Sequence, residues 1–236
     1  MFKKTAQFYD QIYSFKDYEE ESQKIVNLIK KVNPSAQRIL DVACGTGEHA
    51  RHLAKDFQVD GIDIEPEFIR IAQEKMPTGH FRVADMCDFE MGERYDVVLC
   101  LFSSIGYLTK RKEVINALQC FKKHLKTGGV IMVEPWFTPE QFNSGAIHKV
   151  NVDEPDLKIC RMSVSECEEN LSKLNFHYLV GTPQGVEHFT EEHTLALYTL
   201  DEMLFFFAET GLSASYDPEG ITGRGMYQAK IVKSEV

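Results

Sequence analysis

The sequence has no apolar run approaching the ~20 residues needed to cross a bilayer. Its first residues, Met1-Phe-Lys-Lys-Thr5, turn polar before a signal-peptide core can form. Neither a membrane span nor a secretory leader is expected, and the cytoplasm is the expected compartment. Paired cysteine motifs are missing too. The six cysteines (Cys44, Cys87, Cys100, Cys120, Cys160, Cys167) contain no C-x-x-C, and several sit inside apolar runs. This excludes the spacing of a thiol metal site and favours buried, reduced thiols. Basic charge is scarce: 26 Lys and Arg face 36 Asp and Glu, the net charge is −10, and no Lys/Arg run is present. A nucleic-acid backbone would meet a repulsive mean field, so no nucleic-acid partner is expected. Internal repeats and low-complexity linkers are also absent, and tryptophan occurs once, at Trp136.

What is present is ordinary globular material. Hydrophobic residues make up 43% and charged residues 26% of 236 residues, enough for one α/β domain with an elaboration. Apolar positions at Phe8, Ile12 and Phe15, then Ile25, Leu28, Ile29 and Val32, predict two helices, with Asp17 capping the second. Short apolar runs at Ile39–Ala43, Phe57–Ile64, His80–Ala84, Tyr95–Leu101 and Val130–Val133 predict parallel strands. Between them lie helical stretches at Glu48–Lys55, Glu67–Lys75 and Lys112–Leu125, the last stopped by Gly128-Gly129. From Ala146 to Tyr198 the period becomes two. Cys160, Met162 and Val164 alternate with polar neighbours, as do Phe176, Tyr178 and Val180, which predicts antiparallel strands with one solvated face. A helix from Asp201 to Glu209 and strands at Leu212–Tyr216 and Met226–Val232 close the chain. The expected organisation is an N-terminal helical lid (1–36), a nucleoside-binding core (37–145), an antiparallel insertion (146–198) and a C-terminal completion of the core (199–236).

Leu40-Asp-Val-Ala-Cys-Gly-Thr-Gly47 organises this arrangement. Gly45-Thr-Gly47-Glu-His-Ala50 fits G-x-G-x-x-A between a strand and a helix, and Asp63, about twenty residues on, suits a ribose hydroxyl. Taken alone, this fits a dinucleotide as well as any other nucleoside. Asp41 decides: a carboxylate beside the glycine turn repels a pyrophosphate and attracts an ammonium. S-adenosylmethionine meets the demand, with no phosphate, a ribose diol and a sulfonium. Asp85, at the exit of the third strand, can then accept from an adenine amino group, with Met86 against the ring. An NAD-dependent oxidoreductase is the rival enzyme reading, and a noncatalytic S-adenosylmethionine-binding protein a third.

These residues resemble the first motif of the class I S-adenosylmethionine-dependent methyltransferases. Phe102-Ser-Ser-Ile-Gly-Tyr-Leu108, Val133-Glu-Pro-Trp-Phe137, His188-Phe189 and Gly223-Arg-Gly225 resemble more narrowly the N,N-dimethyltransferases of dTDP-linked 3-amino deoxysugars. The resemblance implies an α/β Rossmann-like, doubly wound, mostly parallel seven-stranded sheet with helices on both faces and an inserted antiparallel β segment. It implies a dTDP-amino sugar as acceptor, methylated once or twice at nitrogen; another small-molecule amine or hydroxyl is the alternative acceptor. Tyr13 matches a family tyrosine near the substrate amine. Tyr18, Asp41, Gly45, Asp63, Asp85 and Met86 match the cofactor site, with Tyr9, Ala43, Gly47, Ile64 and Leu101 beside them.

Methyl transfer from sulfonium to amine is an in-line displacement that develops little new charge, so positioning carries much of the catalysis. The amine must arrive neutral, and candidate bases are Glu134 and His148 at and beyond the fifth strand, with His188 in the insertion. Ser103, Ser104 and Tyr107 follow the fourth strand and are the substrate-facing set, with Trp136 and His188. Arg224 is the candidate for the diphosphate, since a guanidinium matches phosphate oxygens bidentately. His49 and His52 are spaced like a metal pair, but no third ligand is evident and no metal is expected. A homodimer stays open.

Overall fold

The computed structural model describes residues 4–232. After a 3-10 turn at Ala6–Phe8 come α1 (Tyr9–Ile12) and α2 (Tyr18–Val32). Asp17 caps α2 as expected, its carboxylate accepting from the Glu20 amide at 2.8 Å. Glu19, Glu20 and Glu21 then meet the positive end of the helix dipole, and Lys30 and Lys31 the negative end.

Strand and helix next alternate: β1 (Arg38–Val42), α3 (Glu48–Leu53), β2 (Gln58–Asp63), α4 (Pro66–Lys75), β3 (Phe81–Val83), β4 (Tyr95–Cys100), α5 (Arg111–Lys123) and β5 (Leu125–Val133). A four-strand meander follows: β6 (Ile147–Glu154), β7 (Leu157–Glu168), β8 (Leu171–Thr182) and β9 (Gly185–Ala196). Then α6 (Leu200–Glu209), β10 (Leu212–Asp217) and β11 (Met226–Ile231) complete the chain.

The main sheet has seven strands in the order β10-β11-β5-β4-β1-β2-β3. The strands β1 to β5 pair in parallel, and β11 alone runs the other way, antiparallel to both β5 and β10. The chain winds outward from β1 to β3, then returns to β4 on the other side of β1. That reversal opens a crevice beyond the carboxyl ends of β1 and β4. The central strands read as unbroken apolar runs because alternate residues serve opposite faces. Leu40, Val42, Val98 and Ile131 pack with Val114, Phe121, Phe206 and Phe207 of α5 and α6. Ile39, Val97, Leu99 and Val130 pack with Ile25, Ile29, Leu53 and Ala72 of α2, α3 and α4.

One boundary differs from expectation. Gly128-Gly129 does not stop α5; the helix ends at Lys123, and the glycines lie inside β5, where pairing with β4 shifts register between Tyr95 and Val97. The actual stop is His124, whose Nδ1 meets the Cys120 carbonyl at 2.8 Å while Nε2 accepts from the Met91 amide at 3.1 Å.

The meander is a separate antiparallel sheet, β6-β7-β8-β9. In β7 the expected alternation is present, but its apolar members Met162 and Val164 point outward, 46% and 43% exposed. Ile159, Arg161, Ser163 and Ser165 are buried on the inner face instead. Ile12 of α1 joins this sheet's small core of Val152, Ile159, Tyr178, Val180 and Phe189. Among the described residues no helix is long and apolar enough to cross a membrane.

Candidate active site

Both strand ends at the crevice turn in backbone that side-chain-bearing residues rarely adopt. Ala43 after β1 has φ of 58°, and Phe102 and Ser103 after β4 have 50° and 63°. Strain of this kind persists only where the surroundings enforce it, and it gathers at ligand sites. Here the enforcing groups are visible. Asp63, at the end of β2, accepts from the Gly45 amide at 2.9 Å and from the Glu65 amide at 2.9 Å, tying the first loop to the second. Glu134, at the end of β5, accepts from the Phe102 amide at 2.7 Å and from the Thr222 hydroxyl.

The loops enclose a chamber of about 1170 Å³, walled by the N-terminal segment, the carboxyl ends of the main-sheet strands and the inner face of the meander. Tyr9, Tyr13, Ala43, Gly45, Asp63, Ile64, Asp85 and Met86 line it, as do Ser103, Ser104, Tyr107, Trp136, His148 and Arg224. A recess of about 40 Å³ adjoins it, with Tyr18, Asp41 and Leu101 in its lining and Tyr9, Ala43 and Gly45 shared with the chamber. The structure thus brings together most of the residues singled out in the sequence.

Three of them do not take the expected place. Gly47 lies outside both cavities as the left-handed N-cap of α3 (φ 78°), where an added Cβ would stand 3.1 Å from the Cβ of Ala72. Its role is close packing of α3 on α4. Glu134 is 1% exposed and lines neither cavity; both of its oxygens hold loops, which leaves it no reach to an acceptor amine. His188 lies on the exposed outer face of β9, opposite Leu179 and stacked on His177 at 5.7 Å, away from the chamber. His148 does line the chamber, but as an exposed residue near the start of β6.

The local roles of the remaining residues follow from their partners. Ser103 donates to the Pro135 carbonyl at 2.7 Å and accepts from Arg224 at 3.2 Å, so it positions the arginine. Ser104 donates to the Leu101 carbonyl at 3.0 Å. Trp136 donates to Ser172 at 2.8 Å and leaves its ring on the chamber wall. The Arg224 guanidinium lies 5.4–5.6 Å from the rings of Phe102, Trp136 and Phe137. His49 meets Glu21 at 2.8 Å and the edge of the Tyr18 ring at 4.9 Å.

Sequence reasoning missed Arg161. It is 9% exposed, lines the chamber from β7, and donates to the Tyr13 hydroxyl at 3.1 Å. Its one sequence signal was a cation standing in phase with Ile159. Among the described residues neither Arg161 nor Arg224 has a carboxylate within 4.0 Å, although the chain is acidic.

Electrostatics mark the end of this space beside the first two loops. Burial first, and then the neighbouring Asp63, push the Asp41 carboxyl up to about 7. Asp63 is itself raised, chiefly by burial, against the pull of its bonds to backbone amides. A buried acid held this way gains most from a cationic ligand and repels a phosphate. The donor set therefore fits S-adenosylmethionine: acids for an ammonium and a ribose diol, and Ile64 and Met86 as apolar surface for a base.

Comparison with known proteins agrees. A Methyltransferase domain family matches residues 39–129. A dTDP-3-amino-3,6-dideoxy-alpha-D-glucopyranose N,N-dimethyltransferase of Streptomyces fradiae is 37% identical over 94% of this chain and 89% of its own. The crystal structure of Streptomyces venezuelae DesVI superposes with a TM-score of 0.88 at 33% identity, covering 95% of this chain and 98% of the other. S-adenosylmethionine-bound CalS10, an amino pentose methyltransferase of Micromonospora echinaspora, superposes with a TM-score of 0.83 at 31% identity over 92% of each chain. With the seven-stranded sheet, the acid-floored recess and the cation-bearing chamber, these likenesses place the chain among the class I S-adenosylmethionine-dependent methyltransferases, in the family of dTDP-amino-deoxysugar N,N-dimethyltransferases.

Proposed function

We propose that the protein methylates the amino group of a dTDP-linked amino deoxysugar, once or twice. The observation that carries this reading is the charge layout of one chamber. Acids surround the loop that suits a cationic donor, while two arginines with no carboxylate within 4.0 Å among the described residues, Arg161 and Arg224, line the wall. Two fixed guanidinium groups suit a diphosphate, and the rings of Phe102, Trp136 and Phe137 beside Arg224 suit a sugar or thymine face.

S-adenosylmethionine supplies the methyl group as an electrophilic sulfonium substituent. Asp41 would face its ammonium, Asp63 its ribose and Asp85 its adenine, with Met86 and Ile64 against the ring and Tyr9 and Tyr18 from the N-terminal segment. Tyr13 and Tyr107 would stand nearest the acceptor nitrogen. Because the displacement moves positive charge without creating it, these side chains act mainly by holding donor and acceptor in line and excluding water. A cytoplasmic setting, which six free thiols suit, and a homodimer belong to the same reading; light scattering tests the second.

The test is incubation with S-adenosylmethionine and a panel of dTDP-3-amino and dTDP-4-amino deoxysugars, free amino sugars and simple amines. Mass spectrometry then follows the gain of one or two methyl groups. Transfer confined to nucleotide-linked amino sugars supports the reading. Transfer only to free amines or hydroxyls sinks it.

A further inference from the structure

Tyr107 ends the 3-10 turn Ser104–Tyr107 and lines the chamber, while its hydroxyl lies 2.7 Å from Nδ1 of His193. His193, on β9, is 2% exposed and holds its Nε2 3.8 Å from a carboxylate oxygen of Glu191. Glu191 is fixed in turn. It accepts from the Thr5 hydroxyl at 2.6 Å and from the amides of Lys4 and Thr5 at 3.1 and 3.4 Å. An acid, an imidazole and a phenol thus stand in line behind the chamber wall.

The row has a direction. Burial opposes ionisation of Glu191, but the nearby His193 ring and the bonds from the Thr5 hydroxyl and the Lys4 and Thr5 amides outweigh it and hold its carboxyl at about 2. The acid is therefore an anion at any working pH. Glu191 stands 3.8 Å from Nε2, beyond hydrogen-bond reach, but its negative field favours the N–H on that side of the ring, which leaves Nδ1, 2.7 Å away, to accept from the Tyr107 hydroxyl. Burial keeps the Tyr107 phenol protonated, pushing its pKa well up. The phenol oxygen can then accept one hydrogen bond from the chamber side while donating on the other.

We propose that Tyr107, His193 and Glu191 form a proton relay that takes the proton from the acceptor ammonium, an inference that rests on the amino-sugar reading. One N–H bond of the ammonium breaks, and its electron pair stays on nitrogen as the lone pair that attacks. That proton passes to Tyr107 Oη as the phenol's own proton passes to His193 Nδ1. The phenol is unchanged, and the charge ends as an imidazolium facing the Glu191 carboxylate. No oxidant or further reactant enters, and between transfers the imidazolium returns its proton by the reverse path, from Nδ1 through Tyr107 to the chamber.

Other charges bear on the same ring. Arg161 of β7 packs on the Phe176 ring at 4.8 Å, and that ring meets His193 at 5.1 Å. Tyr13 and Tyr178 face Tyr107 from the N-terminal segment and from β8. Tyr107 is the group that would touch the substrate; His193 and Glu191 act through it as positioning residues.

The experiment measures kcat and KM for dTDP-3-amino-3,6-dideoxy-D-glucose across pH for the wild type, Tyr107→Phe, His193→Gln and Glu191→Gln. S-adenosylhomocysteine binding by calorimetry reports the fold. The relay predicts kcat losses of about a hundredfold at the acidic end that shrink to a few-fold at the alkaline end, where the amine arrives neutral. Calorimetric affinity stays at the wild-type value. Tyr107→Phe removes one oxygen and tests the idea even if a His193 variant fails to fold. A loss equal at every pH, or one confined to KM, would overturn the relay alone. Absence of methyl transfer by the wild type would overturn the amino-sugar reading, and the relay with it.

Discussion

The Arg161 guanidinium donates to the Tyr13 hydroxyl at 3.1 Å and lies 5.1 Å from the centre of its ring, joining the meander to the N-terminal segment on the chamber wall. Tyr13 is therefore oriented from behind by a fixed cation, and its remaining lone pair is free to face an amine.

Tyr13→Phe should lower kcat by about tenfold while leaving S-adenosylmethionine affinity within about twofold, since one hydrogen bond near the acceptor is lost. Steady-state kinetics with calorimetry read both. Equal loss of turnover and cofactor affinity would recast Tyr13 as packing for the lid.

Arg161→Met keeps most of the side-chain volume and removes the charge. We expect KM for the nucleotide sugar to rise by about tenfold or more, as charge-assisted bonds contribute about 1.5–3 kcal/mol. Arg224→Ala should act likewise, and neither should change KM for a truncated amine that lacks the diphosphate. A rise in KM for both acceptors would place the arginines elsewhere in the reaction.

Asp41 links binding to pH. Its carboxyl is raised from an ordinary 3.8 to about 7, so the folded chain holds this proton more tightly than the unfolded chain does. The stability it contributes is full below about pH 4 and is lost as pH rises through about 7. A cation beside it favours the ionised form, so S-adenosylmethionine should bind more tightly as pH climbs through the same range. Asp41→Asn should flatten that dependence, weaken binding, and raise the apo melting temperature at alkaline pH. Calorimetry and thermal scans across pH check all three, and a pH dependence that survives the substitution would assign it to another group.

Asp63→Ala should cost about 1–3 kcal/mol of cofactor binding, because it removes a carboxylate and releases the Gly45 and Glu65 amides it holds. Unchanged affinity would show that the ribose lies elsewhere.

Glu134→Gln tests a scaffold role against a catalytic one. The amide can still accept from the Phe102 amide, but the charge that strengthens both bonds is gone. Stability should fall by about 1–3 kcal/mol, with the pH profile of kcat keeping its shape. His188→Ala, on the outer face of the meander, should leave kcat and KM unaltered. A flattened pH profile in Glu134→Gln would restore it as a base.

The donor side of the site was legible in the sequence because it is local. Asp41, Ala43 and Gly45 share one strand end, and Asp63 and Asp85 sit where the next strands stop. The proposed acceptor side is assembled from remote segments, and one of its two cations, Arg161, was hidden by an inverted pattern. In β7 the apolar residues Met162 and Val164 face outward, while Arg161, Ser163 and Ser165 face in, because the surface they form walls a cavity rather than a core. Hydrophobic alternation finds the strand and then points to the wrong face. Glu134 misled for a related reason: a buried acid at a strand end resembles a base, and only the Phe102 and Thr222 contacts show that both its oxygens are spent on loops.

The meander keeps its own small core of Ile12, Val152, Ile159, Tyr178, Val180 and Phe189, apart from the two clusters that flank the seven-stranded sheet. Side chains that choose an acceptor can therefore diverge without loosening the scaffold that holds the donor. If the proposed acceptor wall is the one used, a lineage or a designer changes acceptor by rewriting the chamber-facing residues of β6 and β7 and leaves the seven-stranded sheet as it is.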